Sequence, residues 1–191
     1  QLTMLQIQNL VKAYNNNVVL DIENLTINKG EVIGLIGNNG AGKTTLFSLI
    51  LDLIEATKGK VINIGIEVSK SEDWKSHTAA FLDETFLIGY LTPEEYFYFV
   101  GELRNMSKAD VNEFLLSYKD FFNDEILNGK KYIRDLSKGN QKKVGIIAAF
   151  LGNPELVILD EPFANLDPTT QIRLKRVISA CSEKTNATII I

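Results

Sequence analysis

The residues whose types and spacing most clearly indicate chemistry form a glycine-rich segment that ends in lysine and threonine. The segment fits the pattern G-x-x-x-x-G-K-S/T and consists of Gly37, Asn38, Asn39, Gly40, Ala41, Gly42, Lys43 and Thr44. The run before it, residues 32–36, is apolar and predicts a buried strand, whereas residues 45–54 have the length and apolar content of a helix. Because strand, glycine loop and helix occur in this order, the segment predicts a site for the phosphates of a nucleoside triphosphate.

Each part of this segment has a role in that chemistry. Glycines let the backbone curl so that N–H groups point at an anion, and the N-terminus of the following helix adds partial positive charge. Lys43 would reach the β- and γ-phosphates, and the Thr44 hydroxyl would hold Mg²⁺. Thr45, on the first helical turn, completes the predicted set. No guanine-specific N-K-x-D motif occurs in the sequence, so we expect ATP rather than GTP.

Two carboxylates follow an apolar run much farther along the chain. Residues 156–159 predict a buried strand that ends in Asp160 and Glu161. We expect Asp160 to contact Mg²⁺, directly or through water, and Glu161 to polarise the attacking water beside the γ-phosphate. Alone, such a pair is equally typical of an ordinary polar strand end. Together with Lys43 it predicts an ATPase in which Lys43 and Glu161 are catalytic.

The composition is typical of a soluble globular protein, with 45% hydrophobic and 23% charged residues among 191. The formal net charge of −4 gives no electrostatic reason to expect nucleic acid as a partner. No apolar run approaches the roughly 18 residues of a membrane-spanning helix. The single cysteine, Cys181, excludes an internal disulfide and fits a reducing compartment. We therefore expect a cytoplasmic protein.

Further elements must position these residues. Short apolar or alternating runs predict strands at residues 5–10, 18–27, 61–64, 79–82 and 187–191. Residues 92–119 are helical in pattern, and Thr92 and Ser107 are typical N-caps. The alternation of strands and helices predicts an α/β fold of the P-loop NTPase type. It would have a mainly parallel core sheet, an N-terminal antiparallel β-subdomain and a helical subdomain at about residues 85–150.

Aromatic residues are frequent in the predicted helical subdomain. They are Phe97, Tyr98, Phe99, Tyr118, Phe121 and Phe122. We expect them to form the core of this subdomain. The alternative is that part of this apolar surface docks a partner protein.

In their order and spacing these motifs resemble the nucleotide-binding domain of ABC transporters, over nearly the whole chain. Residues 136–140 (LSKGN) are similar to the family's L-S-G-G-Q signature, with Lys138 and Asn140 as departures. Residues 165–167 resemble the D-loop, and Tyr14 falls where the family stacks an aromatic residue on adenine. The resemblance implies a single ABC ATPase domain over residues 1–191. It also adds Tyr14, Ser137, Gly139 and Asp167 to the nucleotide-binding set.

The resemblance implies a mechanism as well. In the family, two ATP-binding domains meet head to tail, and each ATP lies between the P-loop of one copy and the signature of the other. Ser137 and Gly139 begin a helix, so a hydroxyl, an N–H group and the helix dipole can face a γ-phosphate. Hydrolysis removes this shared anion and the dimer opens. We expect the cycle to drive a transmembrane permease subunit from the cytoplasmic face of the membrane.

Two departures from the family pattern matter. Glu84 aligns where the family usually has glutamine, and its carboxylate would still serve as a ligand for Mg²⁺. An acidic residue there, followed by residues 91–96 (LTPEEY), resembles the ABC-2 or drug-export type and predicts an exporter. The family also places a histidine after the strand that here ends at Ile191, and the only histidine, His77, lies elsewhere. We therefore expect the natural protein to continue past Ile191, and residues 1–191 alone to hydrolyse ATP slowly.

Two rival functions stay open on the sequence. One is a soluble ABC-type ATPase that acts in translation or repair. The other is a regulatory nucleotide-binding module with little catalysis, which Lys138, Asn140 and Glu84 would suggest.

Overall fold

The computed structural model describes residues 2–37 and 42–191, which form two four-stranded sheets and six α-helices. The helices are α1 (Lys43–Ile50), α2 (Pro93–Leu103), α3 (Lys108–Leu116), α4 (Lys119–Phe122), α5 (Lys138–Ala149) and α6 (Pro168–Thr185). The strands are β1 (Thr3–Tyr14), β2 (Asn17–Asn28), β3 (Val32–Ile33), β4 (Lys58–Asn63), β5 (Ile66–Glu67), β6 (Thr78–Phe81), β7 (Leu156–Leu159) and β8 (Thr188–Ile190). Within these ranges no helix has both the length and the apolar character needed to cross a membrane.

The first sheet is antiparallel and has the strand order β2-β1-β4-β5. Its two long strands, β1 and β2, are joined by Asn15 and Asn16, whose φ angles of 46° and 64° are those of a tight hairpin turn. Asparagine tolerates this left-handed region better than most residues do. The prediction of an N-terminal antiparallel sheet is confirmed, with longer strands than the alternating pattern indicated.

The second sheet is parallel and has the order β3-β8-β7-β6. Its strand β7 is buried on both faces. Leu156 and Ile158 pack with α1 and the first sheet, whereas Val157 and Leu159 pack with the helices on the opposite face. This double burial explains the unbroken apolar run before Asp160. A mainly parallel core sheet was predicted, and that prediction is confirmed.

Two predictions around the glycine-rich segment need correction. Residues 32–36 do not form a buried strand: β3 spans only two residues, Val32 is 51% exposed and Ile36 is fully exposed. In the described part of the chain β3 pairs with β8 on one side only, which leaves its other edge open. The helix predicted at residues 45–54 ends at Ile50, and Asp52 adopts a positive φ of 53° that is incompatible with an α-helix.

The helices behind the parallel sheet have the predicted caps. Thr92 and Ser107 each form a capping box with an acidic residue three positions later. The rings of Phe97, Phe121 and Phe122 are buried, as expected of a core, whereas Phe99 is exposed on the surface.

The position of α5 depends on one close contact with β6. A side chain at Gly145 would overlap the buried ring of Phe81. Glycine therefore allows the helix to approach the sheet more closely than any other residue would. This approach brings the N-terminal turn of α5 next to the segment that follows Asp160 and Glu161.

Candidate nucleotide site

The site begins where the glycine-rich segment enters α1. Gly42 has the left-handed angles φ 88° and ψ 7°, and a Cβ atom there would lie 2.9 Å from the Val19 carbonyl oxygen. Only glycine fits both conditions without strain. Gly37 is exposed at the start of the segment. The predicted residues Asn38, Asn39, Gly40 and Ala41 lie outside the described residues.

Lys43 and Thr44, on the first turn of α1, meet the carboxylates that follow β7. The Lys43 ammonium lies 2.7 Å from Glu161 Oε1, and the Thr44 hydroxyl donates a hydrogen bond of 2.7 Å to Asp160 Oδ2. The structure thus brings together two pairs of adjacent residues that are far apart in sequence. Thr45 follows on the same turn and is half-buried.

The contact with Lys43 also affects the ionisation of Glu161. The hydrogen bond and charge of Lys43 lower the pKa of Glu161 below its ordinary value of 4.5, and Lys142 contributes a smaller effect in the same direction. The Glu161 carboxylate is therefore ionised at neutral pH, as an acceptor of a proton from water must be. Its side chain is 52% exposed, so a solvent molecule can approach it.

The donor set here suits a magnesium ion. A hydroxyl and a carboxylate oxygen are hard ligands, and the 2.7 Å between Thr44 Oγ1 and Asp160 Oδ2 is close to the separation of about 2.9 Å expected for adjacent ligands of octahedral Mg²⁺. Glu84, the third predicted ligand, is half-buried in a short 3₁₀ turn after β6, the neighbouring strand. Among the described residues no cluster of three acidic, histidine or cysteine side chains forms, so the role of Glu84 stays a prediction.

Tyr14 lies apart from these groups, at the end of β1. Its ring is 51% exposed, and the Lys12 ammonium lies 4.7 Å from the ring centroid. One aromatic face is thus available on the surface. Stacking on adenine stays a prediction.

The predicted signature and D-loop residues line a second cleft, of about 420 Å³. Ser137 caps α5 by accepting a hydrogen bond from the Asn140 N–H group, and Asp167 caps α6 by accepting from Thr170. Hydrogen bonds from the hydroxyl and the N–H group of Thr170 lower the pKa of Asp167. Gly139 lies between them on the cleft wall. We call this the signature cleft.

The cavity between Lys43 and the two carboxylates is separate and smaller, about 130 Å³. We call it the P-loop cleft, and its wall includes Lys43, Asp160, Glu161 and Phe163. The linings of the two clefts share no residue, although the short segment from Glu161 to Asp167 leads along the chain from one cleft to the other. One chain therefore carries two distinct candidate half-sites.

Sequence reasoning missed two contacts near these clefts. The Asn140 amide donates to Glu125 Oε2 at 3.1 Å, which gives this departure from the signature pattern a local partner. Lys142 is buried and donates to the carbonyl oxygens of Glu161 and Ala164. The available signal was a lysine in a helix whose residues 141–149 are otherwise mostly apolar or small. Its acceptors, however, depend on tertiary structure.

The comparisons with known proteins agree with this geometry. A sequence model of the family described as ABC transporter matches residues 20–164, and the chain belongs to that family. It is 34% identical over 185 residues to the uncharacterized ABC transporter ATP-binding protein YhaQ of Bacillus subtilis, covering 92% of this chain and 58% of that protein. It is 33% identical over 186 residues to the lipopolysaccharide export system ATP-binding protein LptB of Escherichia coli K12, covering 90% of this chain and 72% of that protein.

Solved structures give the same fold. The ATP-binding subunit of an ABC transporter superposes with a TM-score of 0.86 at 29% identity, covering 98% of this chain and 78% of that one. A dimeric post-hydrolysis state of the ATP-binding cassette MJ0796, bound to ADP and Pi, superposes with a TM-score of 0.83 at 24% identity. The predicted P-loop fold of the ABC ATPase type is confirmed. The chain spans 58% and 62% of the lengths of the first two curated relatives it matches.

Proposed function

We propose that this chain is the ATP-binding and ATP-hydrolysing part of an ABC transporter, folded as one domain with a helical subdomain at about residues 85–150. The observation that carries the proposal is the double contact of Lys43 with Glu161 and of Thr44 with Asp160. It unites a phosphate-binding helix N-terminus, a metal-binding oxygen pair and a general base within one cleft. Membership of the ABC transporter family supports the same function.

The polar residues of the P-loop cleft have separate roles toward bound ATP. The triphosphate competes with Glu161 for the Lys43 ammonium, because phosphate oxygens carry more negative charge than one carboxylate. Lys43 then holds the phosphates, and the released Glu161 carboxylate orients water and accepts its proton. Thr44 and Asp160, with Glu84, would hold Mg²⁺, which when bound would supply a Lewis acid to the phosphates. Tyr14 stacks on adenine.

The second ligand-binding surface is the signature cleft, which we propose acts on the ATP of another copy. Ser137, Gly139 and Asp167 lie at the N-termini of two helices, where the backbone favours an anion. They face a cleft other than the one that holds Lys43. A head-to-tail pair of chains, identical or related, would complete both ATP sites, and ATP would favour this closed state.

We propose a permease as the remaining partner, with the chain at the cytoplasmic face of the membrane. An exposed apolar patch after Glu84 supports this: Tyr90 is 73% exposed, and Phe86 and Tyr132 are also exposed. The Arg134 guanidinium lies over the rings of both Tyr90 and Tyr132, so these two exposed aromatic side chains are neighbours. Contiguous exposed apolar surface commonly marks a protein interface.

The direction of transport is proposed to be export. The sequence around Glu84 resembles the drug-export type, and LptB, a relative at 33% identity, is named as part of a lipopolysaccharide export system. The transported substrate would be selected by the permease.

A direct experiment tests the ATPase part of this proposal. The purified natural protein should bind ATP and release phosphate in the presence of Mg²⁺, and Lys43→Ala should abolish binding. ATP binding without phosphate release would favour a regulatory module instead.

Purification of the natural protein from its membranes tests the transporter part, because a co-purifying integral membrane protein is expected. Recovery in a soluble fraction with ribosomes or repair proteins would contradict it.

A further inference from the structure

Lys142 is a buried cation beside the P-loop cleft. It is 7% exposed and lies on the first turns of α5. Its ammonium donates to the Ala164 carbonyl oxygen at 2.6 Å and to the Glu161 carbonyl oxygen at 3.2 Å. Among the ion pairs of the described residues, none involves Lys142. A buried ammonium is stable only when it is hydrogen-bonded, so these two carbonyl groups are its anchorage.

The backbone that receives these bonds is strained. Glu161 has a φ of 48°, a left-handed value that non-glycine residues rarely adopt. Such backbone persists only where surrounding contacts hold it. The Ala164 N–H group also donates to the Glu161 carbonyl oxygen, so residues 161–164 form a turn. The Lys142 ammonium bonds to the carbonyl oxygens of the first and last residues of this turn.

We infer that Lys142 is a positioning residue for Glu161, which fixes the backbone of the general base from the helix that begins at Ser137. This inference rests on the proposed ATPase function. Lys142 touches neither nucleotide nor water in this role. It holds the turn at residues 161–164 so that the Glu161 carboxylate stays near Lys43 and points into the P-loop cleft.

The role can be separated from simple stabilisation by a matched control. Arg104 is a cation, half-buried, that also bonds carbonyl groups, among them those of Ser76 at 2.8 Å and Thr78 at 2.6 Å. It lies at the opposite end of β6 from Glu84, and nothing places it in either cleft. Lys142→Met and Arg104→Met therefore each remove one cation from backbone acceptors, but only the first acts on the turn of Glu161.

The experiment measures ATP hydrolysis and amide hydrogen exchange in the whole protein. Lys142→Met should lower kcat by about 10²-fold, the loss expected for a catalytic group displaced by about 1 Å, with the KM for ATP within about twofold. Lys142→Arg, which keeps donors and charge, should restore most of kcat. Without nucleotide, exchange at residues 161–167 should rise in Lys142→Met and stay unchanged in Arg104→Met, whose kcat should match the wild type.

The outcomes distinguish the two proposals. An active wild type with an unchanged kcat in Lys142→Met would overturn the role of Lys142 and leave the ATPase proposal intact. An increase in KM alone would also overturn it, because Lys142 would then act on nucleotide binding. An inactive wild type would count against the ATPase proposal, and unchanged exchange at residues 161–167 would still refute the anchorage. If Lys142→Met fails to fold, Lys142→Gln gives the same test, with a smaller expected loss in kcat.

Discussion

The two clefts differ in how their polar groups are satisfied. In the P-loop cleft, Lys43 and Glu161 bond to each other across more than half of the chain's length, and Thr44 does the same with Asp160. In the signature cleft, Ser137 and Asp167 bond to their own helices. The first arrangement has internal partners that a ligand could replace, whereas the second offers two helix N-termini whose capping groups are already satisfied. The P-loop cleft is thus suited to catalysis and the signature cleft to recognition.

The largest effect expected is on catalysis in the P-loop cleft. Glu161→Gln should lower kcat by about 10²–10⁴-fold, the usual contribution of a general base. ATP should still bind, because the amide keeps the shape of the side chain and removes a negative charge near the phosphates. Phosphate release under single-turnover conditions and nucleotide binding by calorimetry check the two halves of this prediction.

Its control is Glu155→Gln, which removes another surface carboxylate, the partner of Lys29. That variant should keep the wild-type kcat. A wild-type kcat in Glu161→Gln would show that Glu161 is not the general base of the P-loop cleft.

The next effect falls on α5, which lines the signature cleft and contacts the backbone after Glu161 through Lys142. Gly145→Ala would place a methyl group against the buried ring of Phe81. Such overpacking should lower the free energy of unfolding by about 1–3 kcal/mol. Urea denaturation followed by circular dichroism checks it, with Gly34→Ala as control because open space surrounds that position. Equal stability of the two variants would show that α5 is not held by close contact with β6.

A smaller effect is expected at the signature cleft. Ser137→Ala should weaken ATP-dependent association of two chains by about tenfold, the loss of one hydrogen bond to a charged group. It also removes a helix cap, which typically costs about 1 kcal/mol.

Ser107→Ala is the matched control, because Ser107 caps α3 in the same way but lies outside both clefts. Sedimentation at several protein concentrations should show weaker association for Ser137→Ala alone. An equal loss in both variants would mean that capping, and not phosphate recognition, explains the effect.

The smallest effect concerns the ion pair of Lys43 and Glu161. Because Lys43 lowers the pKa of Glu161 below 4.5, the pair stabilises the folded state above that pH, and the stabilisation is lost as the pH falls through the lowered value. For so exposed a pair we expect about 0.2–1 kcal/mol. The difference in unfolding free energy between wild type and Lys43→Met should therefore shrink from pH 7 to pH 3. A constant difference would mean that the pair contributes nothing to stability.

Much of the site follows from local sequence, because its residues belong to short motifs with fixed geometry. Thr92 and Ser107 begin helices as their capping patterns predict. The apolar run of β7 delivers Asp160 to the sheet edge beside Thr44. In open α/β sheets, ligands bind at the carboxyl ends of the parallel strands, as Asp160 at the end of β7 would require.

The remainder depends on contacts that no local pattern encodes. Residues 32–36 were predicted to be a buried strand because they are apolar, but burial is set by neighbouring strands, and β3 has one in the described residues. The acceptors of Lys142 follow a strained turn at Glu161, whose φ no sequence pattern indicated. The contact of Asn140 with Glu125 likewise joins segments 15 residues apart through the packing of α4 and α5.

The most direct test is the mass of the protein in solution with and without nucleotide. If the two clefts complete each other in a head-to-tail pair, Glu161→Gln with Mg²⁺ and saturating ATP should sediment at twice the mass that it has without ATP. Ser137→Ala added to this variant should shift it back toward the single chain. A mass that is unchanged at saturating ATP would contradict the division of one ATP site between two chains.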